Sequence, residues 1–255
     1  EVIISSADEE SSKPRSYVLD YEGGKLIPKL DRIPLFLNVV KAPPEYMPTL
    51  IGQKRGQVKI FDKHVHLAEK QGDSIRLGSR LDVPYDANVY NFAYLPQEKG
   101  YKLVVLGDDD RVKVFTELGE MQVKTQEVFS GSPVGLPYGN SLPGFQDRRD
   151  ESSNVYYVPM HMIPGDFDKD GKYELLINKP ISAAAQFFYR YRNYPQGEIH
   201  ALNWDGVGMN LLWKTHRIKG SVTDLEVADV DNDGGEDLVV CVNTTGFVPG
   251  LTSRK

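Results

Sequence analysis

Two stretches of the chain, "GDFDKDGKYE" at 165–174 and "ADVDNDGGED" at 228–237, set acidic residues in one shared register. Asp166, Asp168 and Asp170 alternate, Gly171 follows, and Glu174 closes the first run. Asp229, Asp231, Asp233, Gly234 and Asp237 repeat the arrangement. Carboxylates this close repel one another unless a cation lies among them. Hard divalent ions prefer oxygen, and Ca²⁺ accepts six to eight oxygen ligands in forgiving geometry. Zinc or copper would call for His or Cys, which neither stretch contains. Acids at positions 1, 3 and 5 can converge on one ion, the glycine at position 6 permits a sharp turn, position 7 offers a backbone carbonyl, and the acid at position 9 closes the site.

The flanks decide which kind of calcium loop this is. An EF-hand needs a bidentate Glu at position 12 and a helix on either side. Position 12 is Ile177 in the first loop and Val240 in the second. "ELLIN" and "DLVVCVN" follow the loops as β-rich apolar runs, so the EF-hand reading fails.

Those runs belong to a wider pattern. "EVIIS", "PTLIG", "KLVVLG", "ELLIN" and "DLVVCVN" are short, β-branched and bounded by Gly, Pro, Asn or Asp. After most of them comes a strand of alternating pattern: "SYVLDYEGG", "GQVKIFDKH", "RVKVFTELGE" or "EIHALNWDG". Convincing helical periodicity is absent. Anchoring each module on its first strand gives Val2, Leu50, Leu103, Leu175 and Leu238, spaced by 48, 53, 72 and 63 residues (50 − 2, 103 − 50, 175 − 103, 238 − 175). The shorter spacings sit just above the roughly 40–50 residues of a four-stranded propeller blade. Two insertions lengthen the others: a Gly/Pro/Ser-dense surface loop at 130–154, and 180–196 between two strands of one blade. The pattern predicts a single all-β domain over 1–255, a β-propeller or a large part of one, built from four-stranded antiparallel blades. A β-sandwich would leave the repeat unexplained. The chain is expected to enter and leave at the second strand of a blade. The opening "EVIISSADEE" and the closing "TTGFVPGLTSRK" read as cuts within a longer precursor.

At the loops the chain resembles a known family. "GDFDKDGKYELLI" and "ADVDNDGGEDLVV" are similar to the calcium loops of FG-GAP/VCBS-type repeats, found in integrin α-subunit propellers and in many exported bacterial proteins. The resemblance implies that the loop joins the first two strands of a blade and that Ca²⁺ occupies two sites. It places the ligands on Asp166, Asp168, Asp170 and Glu174 and on Asp229, Asp231, Asp233 and Asp237, with the carbonyls of Lys172 and Gly235 completing them. Glu174 departs from the usual aspartate at position 9. The match covers these two repeats alone. Such ions organise a turn and take no part in chemistry.

Other chemistry-bearing residues carry less. Asp108, Asp109 and Asp110 are consecutive, so their side chains diverge, and they read as a hairpin turn without a metal. His64 and His66 alternate on one solvated strand face. His161, His200 and His216 are scattered, and no G-x-S-x-G elbow or phosphate loop accompanies them. Cys241, the single cysteine, is expected to be a buried, inert thiol. Phe187, Phe188, Tyr189, Arg190, Tyr191, Arg192 and Tyr194 concentrate rings and guanidinium groups inside an insertion. They form either a partner-binding surface or the cover of a lengthened hairpin.

Composition narrows the function classes. Thirty basic against 36 acidic side chains give a net charge of −6, which disfavours nucleic acid as a partner. No apolar run approaches the roughly 20 residues of a membrane span. The expectation is therefore a non-enzymatic, calcium-stabilised binding or scaffold module of an exported protein: periplasmic, outer-membrane-associated or extracellular. Its partner would be a protein or glycan at the cell envelope. A carbohydrate-binding or polysaccharide-cleaving propeller is the alternative. That alternative predicts aromatic and acidic residues gathered around one face or the central channel.

Overall fold

A strand with apolar side chains at every position must be covered on both faces. β-Strands in the computed structural model meet that demand by standing between neighbouring sheets. The structure describes residues 1–8, 13–57, 59–137, 155–182, 192 and 194–244. Among them all regular structure is strand, and every strand pairing is antiparallel.

Four sheets form the blades of a β-propeller. The first holds β1 (Val2–Ile4), β2 (Ser16–Glu22) and β3 (Lys25–Ile33). The second holds β4 (Phe36–Ala42), β5 (Met47–Gln53), β6 (His66–Gln71) and β7 (Ser74–Arg80). The third holds β8 (Phe92–Pro96), β9 (Tyr101–Leu106), β10 (Arg111–Phe115) and β11 (Met121–Val128). After a small pair, β12 (Gly135–Pro137) with β13 (Val155–Tyr157), comes the fourth. It contains β14 (Ile163–Gly165), β15 (Glu174–Ile181), β16 (Gln196–Trp204) and β17 (Met209–Lys214), with β18 (Ile218–Lys219) also paired to β16. The hairpin of β19 (Ser221–Ala228) and β20 (Asp237–Asn243) packs on the fourth blade through β15 and β16. First strands adjoin one another around the array: β1 meets β4, β4 meets β8, and β8 meets β14.

The period-two rule sorts the second strands of the third and fourth blades between two cores. Leu103 and Val105 of β9 join Phe36 and Ile51 of the second blade, while Val104 and Leu106 join Leu175 and Ile177 of the fourth. One position further along β15, Leu176 turns the opposite way and packs with Val222 and Leu225 of β19. Continuous burial of "LVVL" and "LLI" is thus the signature of a blade enclosed on both sides.

Several details differ from the sequence expectations. Leu50, Leu103, Leu175 and Leu238 lie in β5, β9, β15 and β20, each preceded by a paired inner strand. The inner strands escaped notice because β14 has only the three residues Ile163–Gly165 and β4 is interrupted by Asn38. "GQVKIFDKH" is not a strand among its described residues. Gly56 N–H bonds the carbonyl of Ile60 at 3.1 Å, and Asp62 N–H bonds that of Lys54 at 2.9 Å, folding the segment back on itself. The region 130–154 does not begin as a surface loop. Ser130 and Ser132 are buried, Ser130 Oγ accepts Met160 N–H at 2.9 Å, and Asn178 Nδ2 donates to the Ser130 carbonyl at 2.6 Å. Residues 138–154 lie outside those described. Cys241 is exposed rather than buried, because Leu238 and Val240 take the packed face of β20 and send Cys241 outward.

Leu103→Ala and Leu176→Ala each remove a fully enclosed side chain and should cost about 2–5 kcal/mol in denaturant unfolding. Cys241→Ser should stay within about 0.5 kcal/mol of the parent. The native thiol should react with Ellman's reagent at once; reaction only after unfolding would contradict its outward placement.

Candidate metal centres

Both acid runs connect the first and second strands of their sheets, at 166–173 between β14 and β15 and at 229–236 between β19 and β20. The second and third blades make the same connection through segments 43–46 and 97–100, which have no alternating acids.

The two loops share one backbone. Lys169 and Asn232 adopt φ of 61° and 62°, and Gly171 and Gly234 adopt 88° and 86°. Gly fits at the latter pair because a left-handed φ carries no Cβ penalty there. Gly171 N–H donates to Asp166 Oδ2 at 3.0 Å, and Gly234 N–H to Asp229 Oδ2 at 3.0 Å. Phe167 N–H donates to Glu174 Oε2 at 2.9 Å, matched by Val230 N–H to Asp237 Oδ2 at 3.2 Å. Asp170 N–H meets Asp168 Oδ1, and Asp233 N–H meets Asp231 Oδ1, both at 3.1 Å. Lys172 and Gly235 donate N–H to Asp170 Oδ1 and Asp233 Oδ1 at 2.8 and 2.7 Å. Each of these bonds recurs at an offset of 63 (229 − 166 = 63).

This winding gathers one carboxylate oxygen from each of Asp166, Asp168 and Glu174 within 4.8 Å of one another, and likewise from Asp229, Asp231 and Asp237. Oxygens on opposite sides of a calcium ion stand about 5 Å apart, twice a Ca–O distance of about 2.4 Å, so the spread suits that ion. Asp170 and Asp233 are not part of these gatherings; each turns instead onto the amide two residues later.

Burial separates the two sites. Glu174 is only 1% exposed at the start of β15. Burial pushes its carboxyl up, opposed by the Phe167 amide and reinforced by Asp168, Asp166 and Asp170. Asp166 Oδ1 is buried with no hydrogen-bond partner. An orphaned anionic oxygen beside other carboxylates is costly, and a bound cation would satisfy it. In the second loop Asp229 and Asp231 are exposed and Asp237 is half-buried. The neighbouring residues follow suit. Phe167 folds back over Gly165, where a Cβ would lie 2.4 Å from the ring, whereas the second loop has Ala228 and an exposed Val230 at these positions.

Of the aromatic insertion, Phe187, Phe188, Tyr189, Arg190 and Tyr191 lie outside the described residues. Arg192 pairs with Asp110 at 2.6 Å and stacks 4.3 Å from the Tyr157 ring centre, while Tyr194 is buried. These two side chains are engaged within the fold. Asp109 pairs with Arg111 and Lys124, in keeping with a plain turn at 108–110. His66 Nδ1 lies 3.1 Å from the Gly78 carbonyl, and its ring centre is 6.5 Å from that of His64. His161 faces Asp224 at 3.1 Å, and that contact raises its pKa.

Sequence reasoning missed two constellations assembled across the sheet. Glu198 of β16 receives His200 Nε2 at 3.1 Å and Lys214 Nζ at 2.8 Å, with Arg217 Nε at 3.5 Å. A polar cleft at the 54–64 segment is the other. Alternation along β16 signals only that Glu198 and His200 share a face; Lys214 and Arg217 arrive through strand register. No protein-family model matches the chain, and no curated protein matches it.

The hydrogen bond from Lys214, supported by His200, holds the Glu198 carboxyl down at about 2, against an ordinary 4.5. A depressed carboxylate pKa stabilises the fold above the unfolded value and loses that contribution as pH falls. Wild type should therefore lose a stability increment between about pH 4.5 and 2 that Glu198→Gln lacks, read as denaturant midpoints against pH. A difference between the two proteins that stays constant over this range would exclude the ion cluster as its source.

Proposed function

We propose that this chain is a calcium-stabilised propeller, a non-catalytic binding or scaffold module of an exported or cell-surface protein related to FG-GAP/VCBS-type repeats. The observation that carries the reading is the duplicated loop. The same acid register, the same left-handed positions and the same amide–carboxylate bonds recur, and one buried carboxylate oxygen lacks a partner. Asp166, Asp168 and Glu174, and Asp229, Asp231 and Asp237, would hold the ions, with Asp170 and Asp233 and the carbonyls of Lys172 and Gly235 as further oxygens within reach of the same turns. Bound there, calcium neutralises the acids and ties the first strand of a sheet to the second; it activates no substrate.

The extracytoplasmic assignment follows from the metal. Extracellular calcium modules work with dissociation constants of roughly 10⁻⁴–10⁻³ M, matched to the calcium available outside cells. Among the described residues no helix is long and apolar enough to cross a membrane. The partner would be a protein or glycan, with the aromatic and arginine residues at 187–191 as the contact residues their types suggest.

Millimolar Ca²⁺ should raise the melting temperature relative to chelator, since binding the folded state alone stabilises it by mass action. Asp168→Ala and Asp231→Ala should each reduce that rise, the first more because its site is better shielded from water. Identical melting of wild type in chelator and in calcium would defeat the metal reading. Replacing Tyr189 and Tyr191 should weaken partner capture from an envelope extract without altering the melt.

A further inference from the structure

An open cleft of about 800 Å³ lies between the folded-back 54–64 segment, the β7–β8 connection and the β9–β10 turn. None of its lining residues belongs to either acid loop. We propose that this cleft binds a neutral saccharide, which deepens the binding role proposed for the module and rests on it for the role alone.

The floor is built and rigid. Gln53, almost fully buried, donates Nε2 to the Asp62 carbonyl at 2.8 Å and accepts Val89 N–H at 2.9 Å. Asn88 and the Tyr156 hydroxyl exchange hydrogen bonds at 2.9 and 3.1 Å. With these groups satisfied, a ligand finds its polar partners on the walls.

The walls carry both signs of charge: Lys59 and Lys63 against Asp62, Asp86 and Asp108. Lys113 already pairs with Asp86, while Asp108 has no ion pair or hydrogen bond to another described residue. A polyanion would meet three carboxylates and a polycation two ammonium groups, so net charge in the ligand is disfavoured. A sugar hydroxyl both donates and accepts, and can bridge a carboxylate and an ammonium at once. At the mouth stands Tyr85, 70% exposed, steadied by Lys59 Nζ 5.0 Å from its ring centre and 3.4 Å from its hydroxyl. An exposed ring beside a mixed polar wall suits a ligand with an apolar C–H face and a hydroxylated rim, as a pyranose has. The volume lies within the roughly 300–1,000 Å³ of small-molecule sites, enough for a short oligosaccharide.

The test is an array of neutral, sialylated and sulfated oligosaccharides probed with the labelled chain in millimolar calcium and in chelator. Calorimetry then follows with the best-retained neutral glycan. Neutral glycans should be retained, and Tyr85→Ala and Asp108→Asn should each weaken binding about tenfold with unchanged melting curves. Tyr21→Ala, an equally exposed tyrosine on the first blade, should bind as wild type does. Retention of no glycan, retention of acidic glycans alone, or an undiminished affinity in Tyr85→Ala would overturn the proposal. Glycan binding without any calcium effect on melting would remove the metal reading and leave the cleft standing; a calcium effect with no neutral glycan bound would do the reverse.

Discussion

Enclosure of the central strands β9 and β15 between neighbouring sheets organises this molecule. β9 sends Leu103 and Val105 one way and Val104 and Leu106 the other, and β15 repeats the division with Leu175, Ile177 and Leu176. Neither face can be exposed without losing a core, so the sheets must stand side by side. Because the central strands are held from both sides, the connections at their ends are free to diverge. In the second and third blades they stay short, and in the fourth blade and the last hairpin they carry the acids.

This freedom explains where polar chemistry collects. Glu174 is drawn below the surface because it opens a strand whose next three residues are core. Its neighbour Asp166 then places an oxygen where water does not reach. The second loop has the same winding but a looser setting, with Val230 in place of Phe167 and Ala228 in place of Gly165. One motif is thus set at two depths, and the local dielectric differs between them.

Much of this was legible from local pattern. Apolar runs and the twin acid registers are features of adjacent residues, and they identified second strands such as β9 and β15 and the acid loops, though not the inner strands ahead of them. What escaped depends on contacts distant in sequence. Alternation in "GQVKIF" reads as a strand, yet a Cβ at Gly56 would lie 2.4 Å from the Phe61 carbonyl oxygen, a closeness that reveals a folded-back turn. Cys241 sits in an apolar run, but burial depends on what covers the sheet, and its face of β20 is open. Arg192 and Tyr194 looked like recognition residues by type alone, and it is Asp110 and Tyr157, far away in the chain, that engage the arginine.

The acid loops occupy adjoining sheets, while the second and third blades close the same connection with segments 43–46 and 97–100. The disc is therefore lopsided. In one sector the turn amides bond to side-chain carboxylates, and in the other the short links are tied by the Tyr46 hydroxyl to the Gly100 carbonyl and by Gln97 Nε2 to the Pro96 carbonyl. The third and fourth blades nevertheless share one core where β9 packs on β15, so the contrast is confined to the turns. Local opening starts at such strand ends, so the two sides of the propeller would fray differently at their turns while the central strands stay protected together.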